Sequence, residues 1–377
     1  MLLAAYIPLL IATLVRIYRG GTTLNDHAVA AVVSGCMSIY PMLWWDGGQG
    51  MALTAGCLAG MVCIYGIFHV LDQRRQPGLL GRWVGFFSQP AYSFSLWTGL
   101  LLVFWIPVAF FRDAPLFFPG WLLLIPAGLA VWGTGWTYLR RDHLRTHTLP
   151  GPGIRVVHLS DLHVSPLMTR ADMLRIVGVV EALSPDIVAV TGDLVMPFSE
   201  QHHDFLIETL GALSAPVFCC LGNHDLPIAE TLKAELAEVG VAMLVDERML
   251  LEIDGIRVEV VGVDFVWKGA REACLGALER LGEVEADYRL LLAHDPRNFR
   301  WIPPARFDLV LSGHTHGGQV GANMFGIAWS VLRPLGVFDQ GFFSADDCRL
   351  FVHKGNWHTG LPPRMGIASE IVVLECR

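Results

Sequence analysis

Side chains that commonly bind metal ions occur in five short clusters in the second half of the chain. They are aspartate, asparagine and histidine residues: Asp161 and His163, Asp193, Asn223 with His224 and Asp225, His294, and His314 with His316. Carboxylate, amide and imidazole groups suit hard or borderline cations such as Mn, Fe, Zn or Co. Glycines beside the clusters allow sharp turns and leave room for an anionic substrate. The pattern therefore predicts a metal site.

Each cluster follows a short apolar run of the kind that forms a buried β-strand. The predicted strands are 155–159, 187–191, 217–221, 258–263, 289–293 and 309–312, and the predicted helices are 170–183, 205–213 and 229–239. Strands separated by helices indicate an α/β layered domain, in which ligands bind beyond the carboxyl ends of the strands. Gly255, between 250–253 and 257–261, predicts a hairpin, so mixed sheets are expected.

The order of the motifs resembles that of the calcineurin-like metallophosphoesterase superfamily. The motifs are D-x-H, G-D, G-N-H-D, a single H and G-H-T-H, and the resemblance covers residues 150–377. The ending G-H-T-H-G-G-Q is similar to that of the membrane-associated branch, which includes transmembrane phosphoesterases and UDP-2,3-diacylglucosamine pyrophosphatases. The resemblance implies a hydrolase of phosphoester or pyrophosphate bonds in which two divalent cations clamp the phosphate and acidify a water molecule.

The resemblance also implies a role for each motif residue. The implied ligands are Asp161, His163 and His316 for one metal, Asn223, His294 and His314 for the other, and Asp193 as the bridge. His224 would donate a proton to the scissile phosphate or the leaving oxygen, oriented by Asp225. Arg364 would contact the substrate phosphate. Nearby, Trp357 and Ser369 depart from the family pattern of a glycine-rich loop and a Pro-Glu-Ile strand entry, which leaves loop shape and specificity open.

The first 145 residues differ in composition from the rest of the chain. Hydrophobic residues make up 53% of the whole and charged residues 16%, against about 25% charged in ordinary soluble domains. Residues 1–141 hold eight Lys and Arg against four Asp and Glu, whereas the remainder holds 19 against 31. Because nucleic-acid binders neutralise phosphates with basic residues, nucleic acid is not expected as a partner. The eight cysteines form no C-x-x-C pair, so free buried thiols are expected.

Five apolar stretches are predicted to span a membrane: 2–17, 27–45, 51–71, 92–111 and 117–139. Arginines collect after the first, third and fifth stretches, which by the positive-inside rule places those ends in the cytoplasm. We therefore predict an all-α transmembrane bundle of about five helices at 1–145. A Pro/Gly-rich link at 146–153 would lead to the metallophosphoesterase domain at 150–377 on the cytoplasmic side of a bacterial-type inner membrane.

Attachment to a membrane favours a phosphorylated lipid or nucleotide-lipid substrate. The leading hypothesis is hydrolysis of the pyrophosphate of UDP-2,3-diacylglucosamine in lipid A synthesis, with Mn as the first metal to test and Fe, Zn or Co as alternatives. The apolar strip 325–334, with Trp329 and Leu332, is predicted either to rest on lipid or to pack as an ordinary hairpin.

Three alternatives remain open at the level of sequence. The chain could be a phosphodiesterase or phosphatase acting on phospholipids, isoprenyl pyrophosphates or nucleotides. It could be a non-catalytic membrane sensor that retains the metal fold, or a transporter with a regulatory domain. His224 and Asp225 argue against the sensor, because a protein that only binds has no need of a proton donor. The predicted spans contain no intramembrane charge pair, which argues against the transporter.

Overall fold

The computed structural model of the protein describes residues 93, 97, 101, 104, 124–139, 142–164, 168–196, 203–303, 305–324, 327–357 and 364–377. The first three predicted membrane spans lie outside the described residues, as does almost all of the fourth. The last 16 residues of the fifth form the apolar helix α1 (Leu124–Leu139). Within the described ranges, no helix combines the length and the apolar character needed to cross a bilayer.

The chain divides into two units, and the second comprises Leu139–Gly360 and Arg364–Arg377. Its strands are β1 (His143–Leu149), β2 (Ile154–Leu159), β3 (Ile187–Thr191), β4 (Val217–Cys220), β5 (Ala242–Met243), β6 (Glu247–Ile253), β7 (Ile256–Gly262), β8 (Tyr288–Leu292), β9 (Leu309–Ser312), β10 (Gly321–Met324), β11 (Ile327–Ser330), β12 (Gly341–Ala345), β13 (Cys348–Val352) and β14 (Glu370–Cys376). Its α-helices are α2 (Arg170–Ala182), α3 (Asp204–Gly211), α4 (Ala229–Glu238) and α5 (Ala270–Leu281).

The described strands form two mixed sheets and a small hairpin, β10–β11. The first sheet has the order β1-β14-β2-β3-β4-β5, in which β2 to β5 run parallel and β14 runs antiparallel to β2. The second has the order β12-β13-β9-β8-β7-β6, with β12 and β6 antiparallel at its edges. The predicted hairpin at Gly255 is confirmed: Ile253 pairs with Ile256, and Gly255 takes a positive φ of 83°.

Alternating side chains give each strand of the first sheet two buried faces, as the period of two in a β-strand requires. On β2, Ile154 and Val156 point to the core between the two sheets, whereas Val157 and Leu159 point to the core under the helices. Helices α2, α3 and α4 cover the first sheet, and α5 covers the outer face of the second. Burying each such aliphatic side chain contributes about 1.5–3 kcal/mol. The predicted α/β layered domain with mixed sheets is confirmed.

Residues 143–149 differ from the prediction. The segment 146–153 was expected to be a Pro/Gly-rich link, but β1 pairs in parallel with β14 from His143 opposite Glu370 to Leu149 opposite Cys376. Most side chains of β1 are exposed, including the polar Arg145 and Thr146, so the strand lacks the apolar pattern that marks a buried one. Main-chain hydrogen bonds to a strand near the end of the sequence hold it in place. The described cysteines are free and buried, as expected.

Candidate metal centre

The predicted metal-binding residues lie in loops at the carboxyl ends of parallel strands. The loops after β2, β3, β4, β8 and β9 carry, in that order, Asp161 and His163, Asp193, Asn223 and His224, His294, and His314 and His316. Because parallel neighbours end at the same edge of a sheet, each sheet collects its own loops there. The loops from both sheets meet, and they form three overlapping groups of candidate ligands whose atoms lie within 4.8 Å of one another in each group.

The first group consists of Asp161, His163 and His316, and all three side chains are buried. Nε2 of His316 lies 3.2 Å from Oδ1 of Asp161 and 2.9 Å from Nε2 of His163. Nε2 of His163 lies 3.9 Å from the same Asp161 oxygen. Two imidazole nitrogens and one carboxylate oxygen therefore point at a common centre, as the ligands of one cation do.

The second group consists of Asp193, His294 and His314. Oδ2 of Asp193 lies 3.2 Å from Nε2 of His294, which in turn lies 3.2 Å from Nδ1 of His314. The same Asp193 oxygen also lies 3.7 Å from Nε2 of His163, which belongs to the first group. Asp193 consequently faces both groups through a single oxygen atom.

Asn223 provides an independent check of whether these residues fit a metal ion. Its Oδ1 atom is buried, and among the described residues it has no hydrogen-bond partner. An orphaned buried carbonyl costs about 1–3 kcal/mol unless something satisfies it, and a cation would do so. The ring nitrogens of His163 and His316, 2.9 Å apart, can share at most one proton between them. The donor set of nitrogen and oxygen atoms without thiolate fits Mn, Fe, Zn or Co.

The backbone is strained at the candidate ligands. Among the non-glycine residues with positive φ are Asp161 (53°), His163 (45°), Asp193 (51°), His314 (71°) and His316 (50°). Such conformations cost on the order of 1–3 kcal/mol each and persist where the surroundings enforce them, most often at functional sites. Loop hydrogen bonds do so here: the amides of Asp161 and His163 donate to the carbonyls of Gly192 and Asp193, at 3.0 and 2.9 Å.

The electrostatics of the site keep its carboxylates ionised. Burial alone would raise the pKa of Asp161, but His316 beside it holds that pKa well below its usual range. His294 does the same for Asp193. Burial would lower the pKa of His294, but the charge of Asp193 outweighs burial and raises it to about 10. Burial lowers the pKa of His314 to about 4. The site is therefore charged, and it pairs its negative carboxylates with imidazoles.

His224, the predicted proton donor, lies at the margin of the site. Its backbone amide donates to Oδ1 of Asp193 at 2.8 Å, and its ring stands edge-on to that of His163, with 4.9 Å between the ring centroids. The imidazole is half-buried, and burial lowers its pKa. Its Nε2 atom lies 3.9 Å from Oδ2 of Asp193. The ring is thus close to the candidate ligands and still reachable from solvent.

The expected contact between Asp225 and His224 is corrected by the structure. The carboxylate of Asp225 accepts hydrogen bonds from the amides of Gly222 at 2.9 Å and Val195 at 3.1 Å. Nδ1 of His224 has no hydrogen-bond partner among the described residues. A short aspartate side chain readily turns back onto the backbone of its own tight turn, and this local bond prevails over the histidine. Burial and the nearby Asp193 raise the pKa of Asp225 to about 7.

Arg364 also differs from its predicted role. It is buried, and its guanidinium donates to the carbonyls of Lys354 at 2.6 Å, Gly355 at 3.0 Å and Trp357. The same nitrogen lies 3.3 Å from Nδ1 of His316. Instead of reaching toward a substrate phosphate, Arg364 holds the loop 354–357 against a candidate metal ligand.

Several buried residues around the site were missed at the level of sequence. They are Ser160, Thr191, Phe265 and Asn356. The side-chain oxygen of Asn356 accepts from the amide of Ser160 at 3.0 Å, and the ring of Phe265 lies 5.5 Å from that of His314. Ser160 and Thr191 are next to motif residues in the sequence, which is a usable signal. Asn356 and Phe265 carry none, because only the fold brings them to the site.

The comparisons with known proteins agree with this geometry. The calcineurin-like phosphoesterase family matches residues 154–318. A metallophosphoesterase of Aquifex aeolicus is 32% identical over 243 residues, covering 62% of this chain and 89% of that protein. Phosphodiesterase YaeI of Escherichia coli is 29% identical, covering 51% and 71%. A Bos taurus transmembrane protein with metallophosphoesterase domain is 29% identical, covering 60% and 54%. The chain belongs to the calcineurin-like metallophosphoesterase family.

Proposed function

We propose that the protein hydrolyses phosphoester or pyrophosphate bonds with the help of two divalent cations. The observation that carries this proposal is the position of Asp193, whose Oδ2 atom lies 3.7 Å from Nε2 of His163 and 3.2 Å from Nε2 of His294. A carboxylate oxygen that faces two ligand groups can neutralise two cations at once, which an imidazole cannot do. Paired cations are suited to phosphoryl chemistry, because they stabilise both the attacking and the leaving oxygen.

Each residue of the site has a part in this proposal. One cation would be held by Asp161, His163 and His316, the other by Asn223, His294 and His314, and Asp193 would contribute to both. When bound, the cations polarise the phosphoryl group and lower the pKa of a water molecule. His224 donates a proton to the leaving oxygen, Asp225 holds the turn that carries His224, and Arg364 holds the loop 354–357 beside His316.

The finer proposal concerns the substrate and the membrane. In this proposal the apolar part of the chain before β1 forms an α-helical transmembrane region, the catalytic domain begins with β1 and lies on the cytoplasmic side, and the substrate is UDP-2,3-diacylglucosamine. Supporting it are the apolar composition of the first part of the chain, the resemblance of its motifs to the membrane-associated branch, and the relative named as a transmembrane protein. A soluble active site beside the bilayer would take the nucleotide head group while the acyl chains remain in the membrane.

The hairpin β10–β11 supports lipid contact. Trp329 is 38% exposed and Val331 42%. Val331 and Leu332 both lie close to Gly318, where a Cβ atom would be 3.2 Å from Cγ2 of Val331 and 3.0 Å from Cγ of Leu332. Gly318 belongs to the G-H-T-H-G-G turn, so the hairpin adjoins the metal loop. Replacing Trp329 and Val331 with serine should lower turnover of a lipid substrate but not of a soluble phosphodiester.

A matched pair of exposed apolar residues controls for this test. Met249 and Leu250 lie on the edge strand β6, are 47% and 54% exposed, and should tolerate serine with turnover of both substrates unchanged. Equal losses on lipid and soluble substrates in the hairpin variant would contradict lipid contact.

The principal experiment measures release of UMP from UDP-2,3-diacylglucosamine by the purified full chain in detergent. The reaction is run with Mn, with a chelator, and beside a p-nitrophenyl phosphodiester. Asp193→Asn should abolish Mn-dependent turnover, and Asp204→Asn, on the exposed start of α3, should preserve it. Turnover that survives both chelation and Asp193→Asn would contradict a metal-dependent hydrolase.

The two substrates separate the coarse proposal from the fine one. Mn-dependent turnover of the soluble phosphodiester alone would keep the hydrolase and remove the lipid A substrate. It would favour the second candidate, a phosphodiesterase on phospholipid, isoprenyl pyrophosphate or nucleotide substrates, in keeping with the name of the Escherichia coli relative. Binding of Mn without turnover of either substrate would instead favour a membrane sensor.

A further inference from the structure

Behind Asp161, three further buried polar side chains form an uninterrupted row of hydrogen bonds. Nε2 of His158 lies 2.8 Å from Oγ1 of Thr191, which lies 2.8 Å from Oγ of Ser160. Oγ of Ser160 lies 2.6 Å from Oδ2 of Asp161. All four residues have a solvent exposure of 0%. They meet because β2 and β3 are parallel neighbours in register, so Ser160, which directly follows β2, lies beside Thr191, the last residue of β3.

The chemistry of these groups fixes the direction of every bond in the row. A carboxylate can only accept, so Ser160 donates its single proton to Asp161. Ser160 must then accept from Thr191, and Thr191 must accept from His158. His158 can donate from Nε2 while it is neutral, and burial lowers its pKa to about 3. If the hydrogen bonds ran in the opposite direction, a lone pair of the Ser160 hydroxyl would face a lone pair of the Asp161 carboxylate, and the two would repel each other.

Thr191 also contacts the other ligand group, through its carbonyl oxygen. Nδ1 of His294 donates to that carbonyl at 2.7 Å, and this bond orients the ring so that its Nε2 lies 3.2 Å from Oδ2 of Asp193. Oγ of Ser160 lies 2.9 Å from the same carbonyl. The contact of the Ser160 hydroxyl with the charged Asp161 carboxylate is shorter, 2.6 Å against 2.9 Å, and this directs its proton to Asp161. Thr191 thus contacts His294 of the second group directly and Asp161 of the first group through Ser160.

We propose that Thr191 is a positioning residue that fixes the first and second ligand groups of the metal site in place relative to each other. Its hydroxyl, acting through Ser160, orients the Asp161 carboxylate, and its carbonyl orients the ring of His294. The inference rests on the proposed metal-dependent function. Partners that orient metal ligands typically contribute 10–100-fold to metal affinity, so loss of the Thr191 hydroxyl should weaken metal binding by about tenfold or more.

The test compares variants of Thr191 by their affinity for Mn, measured on the metal-free full chain in detergent from the electron paramagnetic resonance of free Mn. Thr191→Val keeps the shape and removes the hydroxyl, and it should bind about tenfold more weakly. Thr191→Ser restores the hydroxyl and should restore the affinity. Thr209→Val is the matched control: Thr209 is also buried, but its hydroxyl donates to the Phe205 carbonyl within α3.

Ser160→Ala completes the test, because Thr191 is inferred to act through Ser160. It should weaken Mn binding as much as Thr191→Val does, and the double variant should lose no more than either single variant, as expected for residues of one network. Should Thr191→Val fail to fold, Ser160→Ala and Thr191→Ser carry the comparison.

The outcomes separate this inference from the proposed function. Unchanged Mn affinity in Thr191→Val or Ser160→Ala would overturn the inference while leaving a metal-binding enzyme. An equal loss in Thr191→Ser and Thr191→Val would overturn it too, since restoring the hydroxyl would then not restore the affinity. Absence of Mn binding by the unaltered chain would remove the proposed function and this inference with it.

Discussion

The main chain at Gly222 lies directly against the side chain of Asp193, so a Cβ atom at position 222 would overlap the amide nitrogen and Oδ1 of Asp193. Gly222→Ala should therefore displace this carboxylate from its place between the two ligand groups. A misplacement of about 1 Å can cost on the order of a hundredfold in rate. We expect a fall of that size in kcat/KM on the p-nitrophenyl phosphodiester.

A second glycine variant shows whether the added methyl group or its location is responsible. Gly178 lies within α2, where a Cβ atom would meet nothing within 4 Å. Gly178→Ala should leave kcat/KM unchanged and stabilise the helix by about 0.5–1 kcal/mol, because glycine is entropically unfavourable there. If Gly222→Ala keeps the wild-type kcat/KM, activity does not depend on the position of the Asp193 carboxylate.

The proposed bridge predicts that two aspartates differ in their effect on metal content. Asp161 belongs to the first ligand group alone, whereas Oδ2 of Asp193 faces His163 of the first group as well as His294 of the second. Asp161→Asn should weaken the binding of one of the two Mn ions, whereas Asp193→Asn should weaken the binding of both. Metal analysis after equilibrium dialysis against Mn measures this directly. Retention of one Mn at wild-type affinity in Asp193→Asn would argue that no shared ligand exists.

The role of His224 can be separated from metal binding by the choice of leaving group. A general acid typically contributes 10²–10⁴-fold, and most where the leaving oxygen is strongly basic. His224→Gln should lower kcat by about that factor on an alkyl phosphodiester and far less on a p-nitrophenyl ester, whose leaving group needs no proton. Mn content should be unchanged. Similar losses on both esters would mean that His224 acts on the phosphate or on a ligand instead.

The buried position of Arg364 predicts a loss of structure when it is shortened. Lysine cannot reproduce its fork of donors to the carbonyls of Lys354, Gly355 and Trp357. Each carbonyl left unsatisfied costs about 1–3 kcal/mol. Arg364→Lys should therefore lower both the melting temperature and kcat. Arg333→Lys, at an exposed site with one carbonyl contact, should change neither. A rise in KM for Arg364→Lys, with melting temperature and kcat unchanged, would instead support the predicted contact of Arg364 with the substrate phosphate.

His158 should make the metal-free protein sensitive to acid. Burial lowers its pKa to about 3 in the folded state, whereas in the unfolded chain its pKa is about 6.5. Between these values the unfolded chain binds the extra proton, so the stability that His158 contributes is complete above pH 6.5 and is lost as the pH falls. The loss approaches about 1.4 kcal/mol per pH unit. Urea unfolding in chelator at pH 7, 6 and 5 should show a shallower decline for His158→Gln; parallel declines would contradict the assignment.

The sequence predicted most of the first sheet and its helices, because local patterns determine them. The apolar runs before Asp161 and Asp193 became β2 and β3 almost residue for residue, and the helix after Thr169 begins at a capping box with Asp172. The candidate ligands lie close together because the carboxyl ends of neighbouring parallel strands lie at the same edge of a sheet. No local pattern identifies β1, because most of its side chains are exposed and it is placed by pairing with β14.

The predicted partners of Asp225 and Arg364 differ from those in the structure because they, like the place of β1, depend on the fold and not on a local sequence pattern. Asp225 stands next to His224 in the sequence, but a side chain's partner depends on its direction, and Asp225 turns to the amides of Gly222 and Val195. Arg364 was assigned to phosphate because the segment that carries it resembles the C-terminal pattern of the family. Its burial, and the loop carbonyls that surround it, follow from contacts between segments that no sequence pattern links.

The place of β14 between β1 and β2 has a consequence for how the domain is made. During synthesis, β1 and β2 leave the ribosome early, yet they cannot join one sheet until residues 370–376 have also emerged. The strand that precedes the metal loop of Asp161 therefore keeps an open edge for most of translation, a state prone to wrong pairing. Catalytic competence should arise abruptly, only after the last strand inserts, and nascent chains halted before residue 370 should be open to proteases.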